Sequence, residues 1–452
     1  MSNEIHVVTG AAGRIGFPLV LELKKRGAYV RAFCHSDNEI SARLKEIADE
    51  VVFGDLRVPK DVEAAFTGAT YVYHLGGLIS IGSKLTAELR TVNVEGTRNV
   101  VNACVKRQVK RLVHTGSVHA LDFENKTDVL TEPDRYAPSK VKGPYAATKA
   151  EACNLVLDAV KQHGLNAVIA LPSGVTGAYE YKLSNFGQMI RDVANKKLPV
   201  YISGEYDFVD AEDVAWALAE LALKGVKGES YLVSGHKITV KELVGLAAGA
   251  AGVKPPKIKI PTFLVKMVAP MAESGARRKG KLPTFTPYSI KVLHDNCNFS
   301  HEKLTALTGY DPRPVAESIQ AQVDFLKGLQ GGAKVESAEA ESAAVEGAEV
   351  AGSENDSPWA ASAEAESVEA AGLSASAEAS GSEAESAEVG GSEVASSETE
   401  SPWAASAESE SVEASGSSES AEVSGSETES AEAVSPEAVE SVEQESSEPV
   451  EN

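Results

Sequence analysis

Short apolar runs alternate with longer stretches of helical periodicity through the first part of the chain. Ile5–Val8, Tyr29–Cys34, Val51–Phe53, Thr70–Leu75, Arg111–Thr115 and Ala167–Leu171 read as strands. Between them Phe17–Arg26, Glu39–Ile47, Lys60–Phe66, Thr86–Arg107 and Tyr145–Gln162 read as helices. Gly27 closes the first helix as its C-cap, and Val94, Thr97, Val100, Val101, Cys104 and Val105 stripe the fourth. Strands that are apolar throughout are covered on both faces. Their alternation with helices therefore predicts the α/β class, a doubly wound parallel sheet with its ligand beyond the carboxyl ends of the strands. After Leu171 the pattern is mixed, with helices expected over Asp210–Leu223, Val240–Ala251, His301–Leu307 and Val315–Leu326 and a strand over Ser230–Val233. The stretch Ile258–Met271 is broken by Lys259, Lys266, Pro261 and Pro270, too short a run for a membrane span, and predicts a buried or interfacial helix.

Composition divides the chain. Residues 331–452 hold 31 acidic residues against one lysine, a net charge of −30, so the first 330 residues carry about +7 of the chain's −23. The low overall isoelectric point therefore belongs to the tail. The expected organisation is residues 1–172 for ligand binding, 173–330 mainly for substrate with some elements returning to the sheet, and 331–452 as a Ser/Glu/Ala-rich acidic tail. In the tail, Ser357-Pro358-Trp359-Ala360-Ala361 recurs 44 residues later as Ser401-Pro402-Trp403-Ala404-Ala405. Without apolar periodicity this segment is expected to be disordered, serving solubility or docking an unknown protein partner through its tryptophans. Cys34, Cys104, Cys153 and Cys297 form no C-x-x-C pair, so neither a disulfide framework nor a metal site is expected, and a cytoplasmic setting is. The first residues show no basic segment followed by a long apolar run, so no secretory leader is expected.

The candidate chemistry starts at Thr9-Gly10-Ala11-Ala12-Gly13-Arg14-Ile15-Gly16, between the first strand and the first helix. A strand, a glycine turn and a helix form a cradle for a pyrophosphate. Gly10 permits the tight turn, Gly13 lets backbone approach phosphate, and Gly16 lets the helix pack on the strand. The helix N-terminus adds free N–H groups and partial positive charge. A second candidate is Tyr145-Ala146-Ala147-Thr148-Lys149, whose spacing puts Tyr145 and Lys149 on one helix face. A lysine cation beside the phenol is expected to lower its pKa toward the working range of a general acid/base. Ser117, ending the fifth strand 28 residues before Tyr145, can hydrogen-bond the reacting oxygen. His74, His114 and His119 are isolated and read as ordinary strand-end histidines.

These motifs resemble the extended short-chain dehydrogenase/reductase family, also called the NAD-dependent epimerase/dehydratase superfamily, with a flavour of dihydroflavonol reductases and 3β-hydroxysteroid dehydrogenases. The resemblance rests on Thr9–Gly16, on Gly54-Asp55-Leu56, on His74-Leu75-Gly76-Gly77, on Asn93-Val94-Glu95-Gly96-Thr97 and on Leu171-Pro172-Ser173-Gly174-Val175-Thr176-Gly177. It continues through Phe208-Val209-Asp210-Ala211-Glu212-Asp213-Val214-Ala215 and Gly309-Tyr310-Asp311-Pro312-Arg313. Two departures are glycines at 76 and 77 and leucine at 171. The resemblance implies a Rossmann fold and an NAD(P)-dependent enzyme with Tyr145 as general acid/base. Lys149 would tune Tyr145 and hold the nicotinamide ribose, and Ser117 would orient the substrate oxygen. Asn93 would tie helix to strand. The implied cofactor residues are Gly10, Gly13, Arg14, Ile15, Gly16, His35, Asp55, Leu56, Leu75, Gly76, Tyr145, Lys149, Pro172 and Val175, with Asp55 at the adenine.

The end of the second strand reads Phe33-Cys34-His35-Ser36, with cysteine where an NAD enzyme places an acid for the ribose. NADP is therefore favoured over NAD, with Arg14 or His35 supplying positive charge. By position Ser80, Tyr179, Tyr181, Phe186 and Phe208 are candidates to face the substrate. No basic cluster is dedicated to a sugar-nucleotide diphosphate, which favours a neutral carbonyl or alcohol. The reading is an oxidoreductase on a small molecule, with a homodimer as a candidate assembly and with no nucleic acid or membrane span. The alternatives are a nucleotide-sugar epimerase or dehydratase holding NAD tightly, and a non-catalytic cofactor sensor or scaffold acting through its tail.

Overall fold

The computed structural model describes residues 4–80, 86–122, 128–265, 267 and 287–329. The acidic tail and its repeat lie outside them. The elements run β1 (Ile5–Thr9), α1 (Gly16–Lys25), β2 (Tyr29–Cys34), α2 (Glu39–Lys45), β3 (Glu50–Phe53), α3 (Pro59–Ala65) and β4 (Ala69–His74). There follow α4 (Ala87–Arg90), α5 (Gly96–Arg107), β5 (Arg111–Thr115), α6 (Pro144–His163) and β6 (Ala167–Pro172). These strands, with β10 (Ser230–Val233), form one seven-stranded sheet in the order β10-β6-β5-β4-β1-β2-β3, every pair parallel. The order reverses between β1 and β4, and in such a sheet the ligand crevice is expected beyond their carboxyl ends.

The sheet is a sandwich filling because its strands are apolar on both sides. One cluster gathers Leu19, Val20 and Leu23 of α1, Leu44 of α2, and Leu218 and Leu221 of α8 (Ala211–Lys224). The other gathers Val62, Val100, Val101, Cys104, Cys153 and Val156 from α3, α5 and α6. Asp210 caps α8 by accepting from the Glu212 N–H at 2.8 Å.

The remaining elements build a smaller assembly. β7 (Gly174–Thr176), β9 (Glu205–Asp210) and β11 (His236–Thr239) form a three-stranded sheet. A third apolar cluster joins α7 (Asn185–Ala194), α9 (Val240–Ala251) and a helix over 315–329 through Ile190, Leu243, Val244, Ile319 and Val323. Thr239 and Glu242 close α9 with a capping box. The two late motifs meet here. The Arg313 guanidinium donates to Asp213 at 2.9 Å and to Glu212 at 2.7 Å, so it braces the start of α8.

Two expectations change. The helix foreseen over Thr86–Arg107 is interrupted by a π-turn at Thr91–Glu95. The wide turn carries Asn93, whose Oδ1 accepts from Leu78 N at 2.7 Å and whose Nδ2 donates to Leu78 O at 3.0 Å and Thr148 Oγ1 at 3.2 Å. These bonds hold the segment after β4 against α6, and the extra residue in the turn is what brings the amide there. The stretch from Ile258 is not one helix. Ile258–Ile260 is a strand, β12, paired in parallel with β8 (Val200–Ile202), because β-branched residues before a proline favour extended backbone. Its residues 266 and 268–271 lie outside the described ones.

Candidate active site

The crevice has two sides. The first is backbone. Gly10 adopts φ +68°, and a Cβ there would stand 2.8 Å from the Gly76 backbone at the end of β4. A Cβ on Gly16 would stand 2.1 Å from Gly10 O, so α1 can approach β1 only with glycine at that position. Gly13 N donates back to Gly10 O at 2.9 Å and closes the turn. No side chain caps α1, and its first turn holds no acid. Among the described residues no acceptor serves the N–H groups of Arg14, Ile15 and Gly16. Three unpaired donors at a helix N-terminus, with no Cβ in the way, fit the diphosphate of a dinucleotide.

The second side is made of buried side chains. Ser117 follows β5, and Tyr145 and Lys149 stand one turn apart at the start of α6; all three are buried. The Ser117 hydroxyl accepts from His119 N at 3.2 Å and hydrogen-bonds Tyr145. Lys149 Nζ donates to Thr115 O at 2.8 Å. Burial pushes the Tyr145 hydroxyl up to about 12, with the Ser117 hydrogen bond pulling the other way. Burial also holds the Lys149 ammonium below its usual value. The expectation that Lys149 brings Tyr145 down is thus reversed in this structure. The lysine is turned to the Thr115 carbonyl, and burial dominates the phenol.

Two of the histidines are wired into this region. His74 shares hydrogen bonds with Thr9 Oγ1 at 2.8 Å and Thr97 Oγ1 at 3.0 Å, joining β1 to α5. His119 lies edge-on to the Tyr145 ring at 6.0 Å and hydrogen-bonds Tyr206 at 3.1 Å. Sequence spacing could not single out Tyr206, since β9 reaches the site only through the second sheet.

The cofactor candidates distribute unevenly. Cys34 is 2% exposed and turned into the core, so at the β2 end the side chain open to a ligand is His35. Asp55 sits 3.6 Å from His35 and is bound by Arg57, whose guanidinium holds its carboxyl down at about 2. Leu56 accepts from the Asn99 side chain through its carbonyl at 2.8 Å, and Leu75 donates to Thr9 O at 3.3 Å. Pro172 is buried at the end of β6, and Val175 lies half-buried in β7. Arg14 does not reach toward β2. It pairs with Glu180 and lies 3.5 Å from Gly177 O, beyond β7. Tyr179 and Tyr181 pack on Phe17 and Phe325, with ring centroids 5.0 to 5.7 Å apart, and Phe186 stacks on Phe208 at 4.7 Å. These four aromatics serve packing. Among the described residues no cluster of His, Cys, Asp and Glu could hold a metal ion, and no helix is long and apolar enough to cross a membrane.

Residues 6–234 match the model of the NAD dependent epimerase/dehydratase family. The chain is 32% identical over 292 residues to a sterol demethylase protein B of Methylococcus capsulatus, covering 64% of this chain and 88% of that protein. It is 29% identical over 305 residues to a 3beta-hydroxysteroid-dehydrogenase/decarboxylase of Arabidopsis thaliana, covering 63% of this chain and 53% of that protein. A UDP-glucuronic acid 4-epimerase of Bacillus cereus, solved with UDP-glucuronic acid and NAD, superposes with a TM-score of 0.58 at 18% identity, covering 72% of this chain and 99% of that one. That last likeness is one of fold.

Proposed function

Since this chain belongs to the NAD dependent epimerase/dehydratase family, we propose that it interconverts a carbonyl and an alcohol on a largely apolar small molecule, using NADP in preference to NAD. The observation that carries this is the buried Ser117, Tyr145 and Lys149 set at the mouth of a crevice whose other side is a bare glycine turn. The residues for the dinucleotide are Gly10, Gly13, Arg14, Ile15 and Gly16 at the diphosphate, His35 and Asp55 toward the adenosine, Leu56, Leu75, Gly76, Pro172 and Val175 along the crevice, and Tyr145 and Lys149 at the nicotinamide end. When bound, the nicotinamide supplies or accepts the hydride.

The chain's own residues do the rest. Ser117 holds the substrate oxygen by hydrogen bonding. Tyr145, protonated at neutral pH as an ordinary phenol is, gives its proton to the developing alkoxide in the reduction direction. Lys149 favours the phenolate left behind. His119 and Tyr206 close the site beside the Tyr145 ring. The apolar substrate class is supported by the sterol-named relatives at about 30% identity, against sugar-nucleotide enzymes that share the fold at 17–23%. The coenzyme preference is supported by cysteine standing at the β2 end where an NAD enzyme places its acid, with the exposed His35 beside it. The first 330 residues are proposed to carry the whole activity.

The test is a panel of ring ketones, sterol ketones among them, with NADPH and NADH, followed by loss of reduced-nicotinamide absorbance. Consumption of NADPH with tighter binding than NADH is expected. Purified protein that retains oxidised NAD and epimerises a nucleotide sugar without net consumption refutes the reading.

A further inference from the structure

We infer that Glu180 is a positioning residue that holds the Arg14 guanidinium for the diphosphate of the dinucleotide, an inference that rests on the glycine turn being the dinucleotide site. Glu180 lies between β7 and α7, and its side chain is 1% exposed. A carboxylate has about four acceptor directions; here three are used by hydrogen bonds and the fourth faces Arg14. Oε1 accepts from Ser184 N at 2.9 Å and Ser184 Oγ at 2.5 Å. Oε2 accepts from Gln322 Nε2 at 2.6 Å and pairs with Arg14 Nη1. Gln322 is itself oriented by Thr176, whose hydroxyl donates to its Oε1 at 2.8 Å. Space for the carboxylate exists because residue 187 is glycine; a Cβ there would stand 2.0 Å from Oε2. Three segments far apart in sequence thus converge on one acid, and its cationic partner is Arg14.

A buried carboxylate is a poor way to gain stability, because desolvation offsets most of the attraction and an apolar group would serve as well. What the arrangement gives is a fixed place for Arg14. That arginine belongs to the turn itself, between Gly13 and Ile15. A guanidinium has five N–H donors. Nη1 stands in ion-pair contact with Glu180, Nη2 lies 3.5 Å from Gly177 O, and the buried Nε and Nη1 have no hydrogen-bond partner. A spare charged donor therefore stands in the same residues whose backbone N–H groups are free. In the sheet β2 lies on one side of β1, while β6, which leads into β7, lies on the other. The anchor on the β7 side keeps the charge away from the ribose that follows β2. The ligand chemistry is a diphosphate bridge, common to NAD, NADP and ADP-ribose, and not the 2′-phosphate peculiar to NADP.

Calorimetric titration of the full chain with NADH, NADPH, ADP-ribose and adenosine tests this, using Glu180→Gln and, as a variant that retains the ion pair, Arg14→Lys. Both variants are expected to bind NADH, NADPH and ADP-ribose about tenfold more weakly, the loss of one charge-assisted hydrogen bond, by the same factor for each. Adenosine binding should stay as in the parent for both, and kcat at saturating cofactor should stay as in the parent for Glu180→Gln. Equal weakening of adenosine, weakening of NADPH alone, or a lower Tm with unchanged affinities overturns the assignment. Failure of the parent chain to bind any of these ligands refutes the dinucleotide reading instead.

Discussion

The two sides of the crevice are built on opposite principles. At β1 the site is backbone: Gly10 and Gly16 contribute by lacking a Cβ, and the donors are unpaired N–H groups. Across the sheet, at β5 and α6, the site is side chains, and Ser117, Tyr145 and Lys149 are set by burial and by their neighbours' hydrogen bonds. The comparison teaches that one half is fixed by geometry and has nothing to titrate, whereas the other depends on protonation that the fold controls. Changes on the first side should act on binding and packing together, and those on the second on turnover.

The largest effect is expected from Tyr145→Phe. Turnover should fall by roughly a hundred- to ten-thousand-fold, the range for a lost general acid, with cofactor affinity little changed; steady-state rates beside a binding titration decide it. Near-parent turnover would break the comparison, since the hydroxyl is the one group removed. Next comes Gly16→Ala, whose Cβ would collide with Gly10 O. It should cost about 1–3 kcal/mol of stability, the range for overpacking, and abolish dinucleotide binding; thermal unfolding and titration read both. A variant with parental Tm and affinity would show that the backbone side is not as rigid as described.

A smaller effect belongs to the join between the two sides. Burial holds His6 down at about 4 and His74 at about 3, and pushes His114 well below its ordinary value. Unfolded histidines take up protons near 6.5 and these do so only several pH units lower. The unfolded chain therefore binds more protons across that window. Stability is full above pH 6.5 and declines as pH falls toward 4 and then 3. A Tm measured from pH 7.5 to 4.5 should hold down to about pH 6.5 and then fall, and a profile flat throughout would mean these rings open to water. The smallest effect is expected from His35→Asp at the exposed β2 end. Preference should move toward NADH by about tenfold as a carboxylate meets the 2′-phosphate, with Tm unchanged. Competitive titration of the two cofactors measures it. The same carboxylate at Cys34 would be buried in the core, so that variant tests folding rather than preference.

Much of the sheet was legible because fully buried strands write themselves as apolar runs: Tyr29–Cys34, Arg111–Thr115 and Ser230–Val233 fall where the pattern places them. The short strands β7, β8, β11 and β12 carry no such signature. They are three or four residues long and half-exposed, and they exist through pairing with distant partners. The π-turn at Asn93 was invisible for a similar reason, since its cause is a bond to Leu78 in another segment.

By itself the sequence determined the α/β class, the parallel sheet and the glycine turn, because periodicity and short spacing are local properties of the chain, and it offered Ser117, Tyr145 and Lys149 as candidates through their resemblance to the family pattern. Only the tertiary structure decided that Arg14 turns to Glu180, that Cys34 faces the core and leaves His35 outside, that Tyr179 and Tyr181 pack on Phe17 and Phe325, and that burial pushes the Tyr145 hydroxyl up. Each of these depends on which remote groups share a side chain's surroundings, and desolvation and hydrogen bonding act through space, not along the chain.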